Sequence, residues 1–258
     1  MKRTLLSVLA ILAISLVAVA QNWIVQSTGF ATKFRGINHV CVVDANTVWV
    51  TAYDGSGSGN PCQDYSRTVN GGTLWTPGTI PGITALDLAM VSAIDDQNAW
   101  VVAYPPASTT TGMGIWHTSD GGTTWNRQAT ALFNNASSFP NCVHFFDANN
   151  GWCMGDPING EYEIYTTTDG GTTWTAVPGA QIPNPTSGEF GVVGYYSVVG
   201  DIIWFGTNKS RVFKSTDRGI TGPWDRSRDG EAGIHSRPLK TIITESSRTG
   251  IQPQPVPW

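Results

Sequence analysis

The chain has 258 residues, with 15 Lys and Arg against 19 Asp and Glu, for a formal net charge of −4. This acidic balance, with no basic stripe, argues against a nucleic-acid partner. A hydrophobic fraction of 40% with 11 Trp suffices for a globular core, while 29 Gly and few charges favour strands and turns over exposed helices.

Residues 1–20 read as a secretory signal peptide: Met1-Lys2-Arg3, an apolar run from Leu5 to Val17, then Ala18-Val19-Ala20 as the cleavage site. The run is short for a membrane span of roughly 20 residues, so a mature start at Gln21 is expected, with no membrane span after cleavage. The product is secreted or held at the cell surface. Loss of Lys2 and Arg3 leaves 13 basic and 19 acidic side chains, a net −6.

From Gln21 onward two landmarks alternate. The first is an Asp/Asn-rich turn running into a Trp: DANTVWV from Asp44, DDQNAWV from Asp95, DANNGWC from Asp147 and, more loosely, VGDIIWF from Val199. The second reads TVNGGTLW (Asn70 to Trp75), TSDGGTTW (Asp120, Gly122, Trp125), TTDGGTTW (Asp169, Gly171, Trp174) and a stretched STDRGITGPW (Asp217, Gly219, Trp224). The closing tryptophans are 50, 49 and 50 residues apart, and Trp23 reads as the end of an earlier, otherwise missing unit. Such a period marks a repeat architecture.

Each unit parses as four short strands. An apolar first strand (37–43, 86–94, 139–146, 190–198) leads through the first turn into the Trp strand. A loop of variable length follows, then an alternating third strand such as GIWHTS or EIYTTT, and the second landmark turns into the fourth. No stretch after the leader carries long helical periodicity, so the chain is all-β. Four-stranded meanders repeated radially are the blades of a β-propeller. In each DGG turn the carboxylate accepts backbone N–H groups and the glycines supply positive φ; Asn70 can replace the Asp.

On these residues the chain resembles the Asp-box (BNR) repeat proteins, similar to photosystem II assembly-factor-like proteins and to sialidase-superfamily exported proteins. The resemblance covers about residues 23–224. It implies a propeller of four-stranded blades, with the boxes on the face opposite the binding site. Asp120, Asp169 and Asp217 then have structural roles. About four blades are present, where relatives of this repeat length form six- or seven-bladed rings. Residues 225–258 hold five of the 15 basic residues and end in QPQPVPW, with no further Trp strand or box. They read as an irregular tail after the blades of 21–224, as a truncation or frameshift would leave.

Candidate functional residues lie on loops opposite the boxes, since function sits on such loops. The ligand-binding candidates are Arg35, Asp54, Asp64, Arg67, Glu161, Asn208 and Arg211, and the catalytic candidates are Asp156 and Glu189. No cofactor is expected. Asp54-Gly-Ser56-Gly-Ser58-Gly59 has the opening spacing of a calcium loop, but position twelve is Tyr65, and a flexible Gly/Ser loop is the plainer reading. Glu161 and Glu163 read as solvated edge charges. A sialidase needs three clamping arginines and a Tyr–Glu pair; Arg35, Arg67 and Arg211 could converge, yet no Tyr–Glu partner is identifiable. The four His are scattered, and GxSxG, HExxH and phosphate loops are absent.

The cysteines Cys41, Cys62, Cys142 and Cys153 allow two disulfides or buried thiols, and Cys142 and Cys153 could face each other across one hairpin. The reading is therefore a non-catalytic binding or assembly module for a protein or glycan ligand. The alternative is a sialidase- or xyloglucanase-like glycoside hydrolase using rim carboxylates.

Overall fold

The structure, a computed structural model, describes residues 23–105 and 111–220 together with the backbone of Asp225–Arg226. The leader, Trp224 and the tail beyond Arg226 lie outside the described residues.

Among the described residues, sixteen strands form four antiparallel sheets, each of four strands in sequence order. Blade one contains β1 (Arg35–Val42), β2 (Val48–Asp54), β3 (Asp64–Thr68) and β4 (Trp75–Thr79). Blade two contains β5 (Asp87–Ala93), β6 (Ala99–Tyr104), β7 (Gly114–Thr118) and β8 (Asn126–Arg127). Blade three contains β9 (Pro140–Phe145), β10 (Gly151–Ile158), β11 (Glu161–Thr167) and β12 (Thr175–Ala176), followed by a 3-10 turn at Gly179–Gln181. Blade four contains β13 (Gly191–Val199), β14 (Ile202–Thr207), β15 (Val212–Ser215) and β16 (Asp225–Arg226). The sheets fan around a common axis with β1, β5, β9 and β13 innermost. This is a four-bladed β-propeller, all-β as the periodicity requires.

The repeated turns share one hydrogen-bond pattern. The hydroxyl of Thr118 donates to Asp120 Oδ1 at 2.9 Å and accepts from the Gly122 amide at 2.8 Å. Asp120 Oδ1 in turn accepts from the Thr124 amide at 2.8 Å. Thr167, Asp169, Gly171 and Thr173 repeat it, as do Thr68, Asn70, Gly72 and Leu74 with the amide oxygen in place of a carboxylate. In blade four Ser215 serves Asp217 at 2.7 Å and Gly219 at 2.9 Å, so the stretched copy keeps its turn. Gly122 and Gly171 have φ of 93° and 89°, which only glycine adopts without strain.

The other landmark folds against this turn. Asp95 Oδ1 accepts from the amides of Gln97 and Asn98, and Asp44 and Asp147 do the same in their own turns. A backbone bond then joins the two turns in each blade: Gly71 to Asn46, Gly121 to Gln97, Gly170 to Asn149 and Arg218 to Asp201. Both landmarks therefore sit at one end of the propeller.

Blades pack through the Trp strands. Trp49, Trp100 and Trp152 are fully buried. Trp49 Nε1 donates to the Asp95 carbonyl of blade two, and Trp100 Nε1 to the Gly170 carbonyl of blade three. Trp100 also stacks on Phe145 with ring centroids 3.5 Å apart. Nearer the axis, the residue paired with each indole reaches the next inner strand. The Ala93 amide donates to Cys41 Sγ at 3.3 Å, the Phe145 amide to Ser92 Oγ at 3.0 Å, and His144 Nδ1 lies 3.2 Å from Tyr196 Oη.

The structure contains no disulfide among the described residues. The hairpin register explains this for one pair: Cys142 lies opposite Met154 and Cys153 opposite Val143. With a period of two, a one-residue offset sends the two thiols to opposite faces of the sheet, so the expected cross-hairpin pairing fails. Burial pushes the Cys142 thiol up to about 12, which keeps it protonated.

His144 makes the fold sensitive to acid. Burial lowers its pKa to about 4 from an ordinary 6.5. Between these values the unfolded chain binds a proton that the native state refuses, so stability falls as pH drops from 6.5 toward 4. The loss is on the order of 3 kcal/mol. Burial pushes His117, stacked on Trp100, the same way. Unfolding free energies measured from pH 7 to pH 4.5 should decline steadily, and His144→Gln should flatten most of that slope.

Candidate functional site

The rim opposite the repeated turns is formed by the starts of the first and third strands and the ends of the second. In blade one this alternation brings Arg35, Asp54 and Asp64 together. Arg35 Nε donates to Asp64 Oδ2 at 2.6 Å, and Arg35 Nη1 lies 3.7 Å from Asp54 Oδ1. Asp64 Oδ1 also accepts from Thr79 Oγ1 at 2.6 Å. Burial works against the Arg35 charge, but its bond to Asp64 and the neighbouring carboxylates raise its pKa overall. Asp87 begins β5 beside this group and accepts from the Cys62 amide at 2.7 Å; burial raises its pKa, and Asp54 adds to the effect.

Asp54 also shapes the Gly/Ser loop, taking the Ser56 and Asn60 amides on separate oxygens at 3.1 Å each. Ser56 and Ser58 hydroxyls bond each other at 3.0 Å. The loop is thus held together by hydrogen bonds among its own residues.

Two aromatic rings stand at this rim. Phe34, 69% exposed, has a φ of 63°, a left-handed conformation costly for a bulky residue. Its carbonyl is held by the Gly55 amide at 2.8 Å. Tyr53, 48% exposed, lies across Gly36 so closely that a Cβ there would fall 2.2 Å from the ring. Phe190 is exposed at the corresponding edge of blade four.

Blade three contributes Asp156 and Glu163. Asp156 Oδ1 accepts from Asn141 Nδ2 at 2.6 Å and from the Gly191 amide at 3.0 Å, tying blade three to blade four. Burial raises the Asp156 pKa despite these bonds. Glu163, beside it, is raised by burial first and by the Asp156 charge in addition. Glu163 is half-buried, so the expectation of a solvated edge charge is corrected. Glu161 is likewise half-buried; it packs against Gly179, which follows the outer strand of the blade.

In blade four, both oxygens of Glu189 are engaged. Its Oε1 accepts from Thr207 Oγ1 at 2.7 Å. Its Oε2 takes the Thr186 amide at 2.8 Å, the Thr186 hydroxyl at 3.1 Å and Arg211 Nη1 at 2.5 Å. Burial pushes its pKa up, but the Thr186 amide, Thr207 and Arg211 outweigh this and hold it below the usual carboxylate range. Arg211 is 6% exposed and lies over Phe213. Asn208 closes the same loop, accepting from the Phe190 amide at 2.9 Å and donating to the Gly188 carbonyl at 3.0 Å. Glu189 and Arg211, expected as catalytic and ligand-binding groups, form a buried clamp that holds the rim loop.

Arg67 is the other correction. It lies near the end of β3, where its guanidinium donates to the Asp96 carbonyl, packs over Trp49 at 5.2 Å and abuts Gly121. It joins blades one and two at the end that carries the DGG turns. The three arginines therefore do not converge. The sequence reading missed Asp87 and Asn141 as rim residues. Asp87 opens β5 as Arg35 opens β1, a positional match available from the repeat alignment alone.

No family model matches the chain, and no curated protein matches it. Solved structures match in fold. The chain is similar to YCF48 bound to D1 peptide, at 18% identity and a TM-score of 0.52, covering 77% of this chain and 55% of that one. It is also similar to YCF48 from Cyanidioschyzon merolae, at 17% identity and a TM-score of 0.53, covering 79% and 60%. A GH74 xyloglucanase from Xanthomonas campestris aligns at 13% identity with a TM-score of 0.45, over 81% of this chain and 40% of that one. The chain thus spans little more than half the length of the YCF48 structures it matches.

The clamp assignment separates structure from chemistry. Arg211→Met strands the buried Glu189 carboxylate and should cost about 3–5 kcal/mol in denaturant unfolding. Asp156→Asn keeps the Asn141 contact and should stay within about 1 kcal/mol of the parent.

Proposed function

We propose that the chain is an exported Asp-box β-propeller that binds a protein or glycan ligand on the rim opposite its boxes, without turning it over. The observation that carries this reading is the state of Glu189. Hydrolysis by two carboxylates needs one as acid and the other as base or nucleophile, about 5–9.5 Å apart across the bond. Glu189 is held ionised, buried and paired with Arg211, with both oxygens engaged by neighbouring donors, a state that suits a structural clamp and not a proton-transfer group.

What the rim does offer suits recognition. Phe34, Tyr53 and Phe190 provide exposed rings beside Arg35, Asp54 and Asp64, a mixture of apolar faces and fixed polar groups. The four turns sharing the [ST]-x-[DN]-x-G bond pattern support the Asp-box assignment. They hold the opposite end rigid, which leaves the rim loops as the variable element. Peptide binding occurs on this fold, since YCF48 has been captured with a D1 peptide. Export rests on the leader-like residues 1–20.

One observation favours the hydrolase reading. Asp156 and Glu163 are neighbours with raised pKa values, the condition a general acid needs.

Incubation with a panel of fluorogenic aryl glycosides decides between the two. The binding reading predicts no turnover above background. It also predicts retention on a peptide or glycan array that Phe34→Ala or Tyr53→Ala weakens at least about tenfold, as loss of an aromatic anchor does. Turnover abolished by Asp156→Asn would establish the hydrolase instead.

A further inference from the structure

Where blades two and three meet at the rim, two aromatic rings stand between two carboxylates. Asp87 opens β5 and pairs in register with Tyr104 at the end of β6. The Tyr104 ring lies 5.1 Å from that of Phe139, the residue before β9. The Phe139 carbonyl then accepts the Asp156 amide at 2.9 Å, in the bulge of β10. Phe34, Phe139 and Phe190 each stand immediately before a first strand, so this edge carries an aromatic residue in three of the four blades. The junction is therefore part of the same surface as the exposed rings of blades one and four.

The carboxylates of this junction have no counter-charge. No ion pair among the described residues involves Asp87, Asp156 or Glu163. Arg35 is held by Asp64 and Asp54, Arg211 by Glu189, and Arg127 spends its Nε on the Met113 carbonyl. Lys33 and Lys209 belong to blades one and four, and residues 106–110, between β6 and β7, carry no charge. Asp87 and Asp156 make their hydrogen bonds through Oδ1 alone, which leaves each Oδ2 without one among the described residues. Burial raises the pKa of both, as it does for Glu163, and no cation offsets it. A buried hydroxyl nearby is also unmatched. Tyr162, 3% exposed, faces Pro157 across the hairpin beside Asp156. Its Oη lies near the charges of Glu189, Arg211 and Asp156, yet has no hydrogen-bond partner among the described residues. Such a group is costly to leave unpaired, and it can accept from a donor that a ligand brings.

We infer that this junction is the seat of a basic side chain, arginine or lysine, of a peptide bound across the rim. The inference rests on the rim being the binding face, and it selects a peptide over a glycan. A cation held over aromatic faces is attracted to them, more strongly where water is excluded, and Tyr104 and Phe139 supply those faces. Asp87 and Asp156 supply the counter-charge through Oδ2, and Tyr162 Oη supplies a further acceptor. A neutral or acidic glycan brings nothing to balance three half-buried carboxylates. Asp54 lies close enough to Asp87 for its charge to be felt there, so Phe34 and Tyr53 can take an apolar neighbour of the basic residue.

An array of matched synthetic peptides, each printed with Arg, Gln or Glu at one position between apolar residues, tests this. The full chain should be retained by Arg peptides at least about tenfold more strongly than by their Gln and Glu partners. The double variant Asp87→Asn/Asp156→Asn keeps the Oδ1 contacts; it should lose that preference while its melting temperature stays near the parent's. Tyr104→Leu removes one ring face and should weaken Arg peptides about threefold, leaving Gln peptides unchanged, which serves where the double variant does not fold. An Arg preference that survives in the folded double variant would overturn the inference. Equal retention of Arg and Gln peptides would overturn it too; if Phe34→Ala still weakened that retention, rim binding would stand without a seat for a cation. Retention by a glycan array alone would likewise overturn the inference and keep the rim. No retention by either array would remove both.

Discussion

One buried hydroxyl per blade organises this molecule. Thr68, Thr118, Thr167 and Ser215 are each nearly sealed from solvent, and each both donates to an Asp or Asn and accepts from a glycine amide. Such a group is expensive to leave unpaired, so the turn has one conformation in which everything is satisfied. That conformation aims the first glycine's amide, or its counterpart at Arg218, into the neighbouring Asp-rich turn. Two hairpin ends thereby become one rigid corner, and four strands become a blade with a fixed twist.

Rigid corners matter because the blades meet through groups on their edges. The indoles of Trp49 and Trp100 end on carbonyls of the next blade's corner, so corner geometry is read directly by the neighbour. Two arginines reinforce the same end. Arg67 reaches forward to the Asp96 carbonyl, and Arg218 bridges Asp201 within its blade and Asp147 in the one before. The opposite rim carries no such repeated hardware. Its order comes from individual clamps, such as Glu189 with Arg211 and Asp156 with Asn141, and each is unique to its blade. A propeller built this way separates a scaffold end, where sequence repeats, from a rim where it is free to vary.

That division explains what could be read from the sequence. The fold was legible because Trp and DGG recur at a fixed period, and periodicity survives ignorance of distance. Rim chemistry was not, because its partners stand at no fixed spacing and do not repeat from blade to blade. Nothing near Glu189 announces that Arg211, 22 residues later, returns to bury it. Arg67 was misplaced for a simpler reason: one position before the end of β3 it belongs to the turn end, although its type suggested a ligand clamp. The cysteine pairing failed on a single residue of register, which composition and turn position do not encode.

The central claim is that the hydroxyl before each glycine turn fixes the blade. Thr167→Val keeps shape and volume while leaving the Gly171 amide and the Asp169 carboxylate without their shared partner. Denaturant unfolding should show a loss of about 1–3 kcal/mol for this variant, the cost of stranding the buried Gly171 amide. The exposed neighbour change Thr168→Val should stay within about 0.5 kcal/mol. Equal stabilities for the two variants would contradict the account.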